Sequence, residues 1–448
     1  MAARNAPHLC ATTLQVSGNM ERCSGILATL WSQFQQRAYF VAKLSAGLLL
    51  AAGAIRLMTR GLRWGLFSQR LVWKLKPYLT RHPLPYDIDR WRLKGIDVDD
   101  LDLVARLMKE NNSWWTFLAP FFAAHGYTHY APASDGHETH PDPHDGMPTS
   151  RQVHPFARRL YSTNKENKMF LAPCIRGARD EHGRDVVIRI VSGPKCSREL
   201  EVLQRLTSPS ALQDPRNITI PILEWLQFDG LTFIVMPRWD LGWIHDFGRV
   251  AECIHIAEIS LAYLDFLHEH RIAHMDIHDG NMLINTIVPA RRFHLTGLRD
   301  PAETRYAMID FGASHIYPYG TPLDTVRITL PRYAWGFHGL NPEDGPFNPF
   351  AADVGALGYL LDRRVRVIRH VVPEIVPFTE RMRSLSKDSN ERPTAREVYL
   401  KFQELKSRLT EEQLKAPVTD LSYKGDGYYQ KKYTYKSRPQ LPKHNWTP

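Results

Sequence analysis

Along the middle of the chain, short β-branched runs come before long segments of helical period. Residues 186–191 (VVIRIV) follow the turn dipeptide His182-Gly183 and read as a strand, and 232–236 is a second short apolar run. Residues 197–206 and 250–268 repeat apolar side chains at helical spacing, and the second of these turns Ile254, Ile259, Leu264 and Leu267 toward a core. Upstream, 104–109 also has a helical pattern. From Ser113 it runs into the aromatic-rich SWWTFLAPFFAAHGYTHY, and the whole of 87–132 reads as an extension that packs on the main body.

The ends are patterned differently. Residues 44–55 (LSAGLLLAAGAI) are uncharged and flanked by Lys43 and Arg56. A membrane span needs about 20 apolar residues, and reaching that length means counting 38–58 with two cations that must snorkel. Beyond it, Arg56, Arg60, Arg63, Arg70 and Lys74 fall on one helical stripe beside Leu57, Leu62, Leu66 and Trp73. Three readings stay open for 38–75: a membrane anchor, an organellar targeting segment and a soluble helix. Residues 133–150 carry His137, His140 and His144 among Pro, Gly and Asp with no apolar period; they read as a flexible linker rather than a metal site, since nothing nearby would fix the rings. The polar 411–448 interleaves Tyr423, Tyr428, Tyr429, Tyr433 and Tyr435 with lysines and reads as a mobile basic tail.

Charge sharpens this division. The 448 residues carry a net charge of +10, and all of it sits in residues 1–86, where Glu21 is the one acid. The remainder is neutral, which excludes a broad nucleic-acid-binding surface. Five widely spaced cysteines with no C-x-x-C pair argue against a disulfide framework and for a reducing, intracellular compartment.

The sharpest chemical feature is His274-Met275-Asp276-Ile277-His278-Asp279-Gly280-Asn281, followed 29 residues after the asparagine by Asp310-Phe311-Gly312. This resembles the H-x-D-x-x-x-x-N catalytic loop and D-F-G motif of the protein-kinase-like superfamily. The resemblance extends over roughly 155–408. It implies a two-lobed α+β fold, a small antiparallel sheet with one helix above a larger helical lobe, occupying 151–410. ATP and Mg²⁺ would bind between the lobes, with Asp276 taking the proton of the attacking hydroxyl and Asn281 and Asp310 as oxygen ligands to the metal. His274 and His278 complete the loop. Glu199 in SRELEVLQRL falls where the small-lobe helix carries its glutamate, and Leu203 would stack with Phe311 and His274. Met236 takes the gatekeeper position, with backbone groups of Arg238 or Trp239 bonding the base. Asp353 resembles the aspartate supporting the catalytic loop, and Arg392 resembles the arginine that would pair with Glu343.

Departures from the family pattern matter as much. Where V-A-I-K is expected the chain reads Val186-Val187-Ile188-Arg189, so an arginine stands in the phosphate-holding position. Residues 161–173 contain no glycine where the family has G-x-G-x-x-G. Met275 replaces an arginine that reads phosphorylation, and the stretch from Glu343 to Arg392 is short, which implies a trimmed substrate-binding region. His278 is similar to aminoglycoside- and choline-type small-molecule kinases, whereas the stretches at Asp353 and Arg392 resemble protein kinases, including divergent fungal ones with long N-terminal extensions. The resemblance thus implies transfer of the ATP γ-phosphoryl group to a protein Ser/Thr hydroxyl. A small-molecule kinase and a pseudokinase that binds nucleotide without turnover are the alternatives.

The charge division carries its own test. Residues 1–86 fused to a reporter are expected to pellet with anionic liposomes, at about 1 kcal/mol per basic residue near the surface, and to resist high salt in part. A chain starting at Asp87 stays in the supernatant. A 1–86 fusion left wholly in the supernatant removes the membrane expectation.

Overall fold

The computed structural model describes residues 43, 84–93, 100–132, 138–140, 154–159, 169–170, 172–243, 247–287, 299–329, 345–383, 392–418, 423–424 and 428–429. Compactness divides the chain into Met1–Leu75 and Lys76–Pro448, and of the first unit only Lys43 is described. Apart from Lys43, the expected membrane segment and the basic stripe therefore lie outside the described residues. Among those described, no helix is long and apolar enough to cross a membrane.

The second unit is a mixed α+β structure. It opens with a short helix α1 (Ile88–Trp91), capped by the Asp87 carboxylate accepting from the Asp89 N–H at 3.0 Å. The next helix, α2 (Leu101–Ala123), starts at the Asp100 cap and absorbs the aromatic run, so the expected helical pattern at 104–109 is the opening of a 23-residue helix. Its inner stripe comprises Met108, Trp114, Trp115, Leu118, Phe121 and Phe122, which explains the aromatic enrichment.

Five strands follow: β1 (Thr128–His129), β2 (Ile175–Arg179), β3 (Asp185–Ser192), then, after helix α3 (Arg198–Leu206), β4 (Glu224–Phe228) and β5 (Leu231–Pro237). They form one antiparallel sheet in the order β1–β2–β3–β5–β4. Asp229 and Gly230, both at positive φ (47° and 81°), make the tight two-residue turn joining β4 to β5. Strand β5 is buried on both faces. Its Ile234 and Met236 belong to the helical core, while Phe233 meets Trp91, Trp115 and Phe122 at ring separations of 6.5, 6.1 and 5.2 Å. The alternating side-chain period of a strand thus sandwiches β5 between the extension and the rest of the core.

After β5 come β6 (Asp240–Leu241), helix α4 (Val250–Glu269), β7 (Met282–Ile284) and β8 (Tyr306–Met308), with the strands paired in the order β6–β7–β8. Helices α5 (Pro349–Val365), α6 (Ile375–Arg383) and α7 (Ala395–Ser407) complete the body. α4 is buried along most of its circumference, packed by α5 and α7. α7 begins with a reciprocal cap in which Thr394 and Glu397 each bond the other's backbone N–H. Glu138–His140, inside the stretch expected as a linker, is a strand paired with Ala131–Pro132 and Met169–Phe170, with Thr139 fully buried. Its partners lie up to 32 residues away in sequence, so no local pattern marked it. In the tail, Tyr423–Lys424 pairs with Tyr428–Tyr429.

Trp91 ties the extension to the sheet. It is fully buried, its indole N–H donates to the Pro85 carbonyl at 2.8 Å, and its ring lies 5.0 Å from Trp114 and 5.5 Å from Trp115. Trp91→Ala is expected to cost about 3–5 kcal/mol in denaturant unfolding of the full chain. A loss below about 1 kcal/mol would show that the extension is peripheral to the fold.

Candidate functional site

The centre of the site is Arg189 on β3. Strand register sets it opposite Ile234, on the face of the sheet that looks toward α3 and the core. Its Nε–H donates to Glu199 Oε1 at 2.8 Å, and its two terminal nitrogens donate to the Asp310 carboxylate at 2.6 and 3.4 Å. Glu199 is delivered by the first turn of α3, which starts cleanly because the Ser197 hydroxyl accepts from the Leu200 N–H at 3.1 Å. The second Glu199 oxygen accepts from Arg92, the residue that follows α1. Four charges are thus linked in the order Arg92, Glu199, Arg189, Asp310.

Asp310 sits in left-handed backbone at φ 64°, and its Oδ1 also accepts the Gly312 N–H at 3.2 Å. Gly312 leaves room for both guanidiniums: a Cβ there would lie 3.1 Å from Asp310 Oδ1, 3.5 Å from Arg92 Cζ and 3.6 Å from Arg189 Nη2. Burial alone would raise the Asp310 carboxyl, but the Arg189 guanidinium and the Gly312 N–H outweigh it and hold it below the usual carboxylate range. Burial opposes the charge on Arg189, and Asp310 and Glu199 reverse this, fixing it as a cation.

The residues of the loop 274–281 are held from beneath. Asp353, fully buried on α5, accepts the backbone N–H groups of His274 (2.6 Å) and Met275 (2.8 Å) and lies 3.3 Å from His268 Nε2. That clamp sustains Met275 at φ 68°. The His274 ring packs 5.1 Å from Phe311, its Nε2 lies 3.1 Å from the Ile309 carbonyl, and Leu203 of α3 belongs to the same core cluster as Phe311. Asn281 donates its amide to the Asp276 backbone carbonyl (2.8 Å) and to Asp276 Oδ2 (3.0 Å). Its own backbone carbonyl accepts from Ile309, one residue before Asp310. Residues from three parts of the sequence therefore converge on one place.

His278 faces Asp276 with Nε2 3.6 Å from Oδ1 and Nδ1 3.9 Å from Asp279, which is itself paired with Arg364. The Gly280 N–H points at Nδ1 (3.0 Å), a contact that suits the neutral ring. Asp276 first and Asp279 second favour the cation and raise the ring pKa to about 10. Two full charges outweigh one backbone hydrogen bond.

At residues 236–239, one of the backbone groups expected to bond a base is already engaged. Met236 is buried on β5 opposite Val187. The Arg238 N–H, one of the backbone groups expected to bond a base, donates instead to the Asp185 carbonyl at 3.0 Å, and its guanidinium lies 3.3 Å from the Tyr130 hydroxyl. The Trp239 indole donates to the Pro155 carbonyl at 2.8 Å. Arg392 is buried, and one of its terminal nitrogens donates to the Ala351 carbonyl at 3.1 Å, while Glu343, its expected partner, lies outside the described residues. Most of the glycine-free stretch 161–173 is outside them too. Arg92 and Arg364 were missed by the motif reading, and no local signal marks them, because each acts through a partner at least 85 residues away.

No family model matches the chain, and no curated protein matches it. Among solved structures, it is similar to one described as "Crystal structure of Rad53 kinase domain and SCD2", with 16% identity and a TM-score of 0.34. The match covers 55% of this chain and 89% of that one.

The position of His278 makes a pH prediction. NMR titration of its ring is expected to give a midpoint of about 10, falling toward the ordinary value of about 6.5 in Asp276→Asn. Because the folded pKa lies above the unfolded one, the stability this group adds is complete below about pH 6.5 and is lost as pH rises through about 10. A wild-type midpoint near 6.5 would show that the ring is not held by Asp276.

Proposed function

We propose that the protein is a two-lobed, kinase-like phosphotransferase moving the γ-phosphoryl group of ATP to a hydroxyl, that of a protein Ser or Thr. The observation that carries this reading is the joint placement of Asp276, Asn281 and Asp310. Asp353 fixes the loop that bears the first two, and Arg189 and Gly312 fix the third. The sheet β1–β5 with α3 is the small lobe and α4–α7 form the large one.

In this mechanism Asp276 takes the hydroxyl proton as the oxygen attacks the γ-phosphorus and the bond to the β-bridging oxygen breaks, leaving ADP. The Asn281 amide holds one Asp276 oxygen at 3.0 Å, which orients the other toward His278 and the cleft. The donor set suits a hard cation in kind. Among the described residues Asp310 Oδ2 receives only the long Arg189 contact, and the Asn281 side-chain oxygen is distinct from the amide nitrogen that binds Asp276. These two oxygens are the Mg²⁺ ligands in this reading. Bound there, the ion would offset the charge developing on the transferred phosphoryl group. Arg189 supports the phosphates as a fork rather than a point charge, and Glu199 keeps that fork in place.

A second reading is favoured by one observation: the Asp310 carboxylate is already engaged on both oxygens by Arg189. A site so neutralised binds nucleotide as a module without turnover. The two readings separate on the full-length protein. Asp276→Asn is expected to keep nucleotide affinity while kcat falls about 10²–10⁴-fold, the range for loss of a general base, and Asp310→Asn is expected to lose turnover as well. Wild-type protein that binds nucleotide but transfers no phosphoryl group to any hydroxyl, with water included as acceptor, selects the second reading. Equal loss of binding in both variants contradicts the assignment of roles.

A further inference from the structure

We propose that Arg92, in the N-terminal extension, is a positioning residue of the nucleotide site, and that because of it the site holds a nucleoside polyphosphate without a divalent cation. The inference rests on the nucleotide-site reading above. It starts from a charge count. Arg189, Glu199 and Asp310 by themselves sum to −1, and a polyphosphate approaching them meets net repulsion that a metal ion would have to cancel. Arg92 brings the linked group to zero. Both guanidiniums are planar forks of a shape that suits phosphate oxygens.

The extension is built to deliver this side chain. Trp91, immediately before Arg92, is locked by the Pro85 carbonyl and by three aromatic rings. On the other side of α1, Arg90 is tied to Glu110 at 2.9 Å and lies over the Trp114 ring. Arg92 then lies against Gly312, beside Asp310. Its Nε is buried and has no hydrogen-bond partner among the described residues, so a donor is left unused beside the two carboxylates. Glu199 takes a guanidinium on each oxygen, which sets the orientation of Arg189 and through it of Asp310.

The test is ADP binding to the full chain by calorimetry, in excess MgCl₂ and in excess EDTA. Wild type is expected to lose less than about threefold in affinity on removing the metal. Arg92→Gln restores the −1 count and is expected to weaken binding about tenfold or more further in EDTA than in MgCl₂. Arg92→Lys keeps the charge and is expected to remain metal-independent. Wild-type binding that disappears in EDTA overturns the inference and leaves the nucleotide-site reading standing. So does an Arg92→Gln variant that weakens equally in both conditions, because a purely structural role would act without regard to metal. Arg92→Lys behaving like Arg92→Gln also overturns it. If Arg92→Gln does not fold, wild type and Arg92→Lys still decide the matter. Absence of ADP binding in either condition overturns both readings together.

Discussion

Two guanidiniums and two carboxylates, with Arg189 and Glu199 buried and Arg92 and Asp310 partly exposed, set the conditions for everything around them. An isolated buried charge is too costly to keep, and removing one member of a buried pair typically costs about 3–5 kcal/mol. The cluster therefore requires each of its four suppliers to be in place: β3 for Arg189, α3 for Glu199, the turn after β8 for Asp310 and the extension for Arg92. This couples elements that lie up to 218 residues apart in sequence. The sheet cannot slip by one residue without turning Arg189 to the face occupied by the extension's aromatic rings.

The aromatic layer is the apolar counterpart of that charge cluster. β5 carries Phe233 on one face and Ile234 and Met236 on the other, and both faces are covered. In a protein whose extension were optional, the Phe233 face would be open to water. Here Trp91, Trp115 and Phe122 close it, so α1 and α2 are part of the hydrophobic core and the orientation of Arg92 follows from packing. Another buried carboxylate works in the larger helical part: Asp353 converts an otherwise unsatisfied pair of backbone N–H groups into the anchor of the loop bearing Asp276 and Asn281. The left-handed conformations at Met275 and Asp310 are sustained by these contacts.

The sequence by itself determined the elements whose signals are local. The β-branched run at 186–191 became the interior of β3, the helical period at 250–268 became α4, and the stretch from His274 to Asp310 holds residues that the fold brings close together. Periodicity and turn chemistry act over a few residues, so they survive in the linear string. The tertiary structure alone decided the rest. It made Glu138–His140 a strand, since its partners come from outside its own window. It bound the Arg238 N–H to the Asp185 carbonyl, because strand pairing continues past the expected end of β5. It also set Arg92 against Glu199, since a lone arginine after a tryptophan has no meaning until packing shows which carboxylate it faces. A buried ion pair depends on distance in space and on the exclusion of water, and neither quantity is written in the order of the residues.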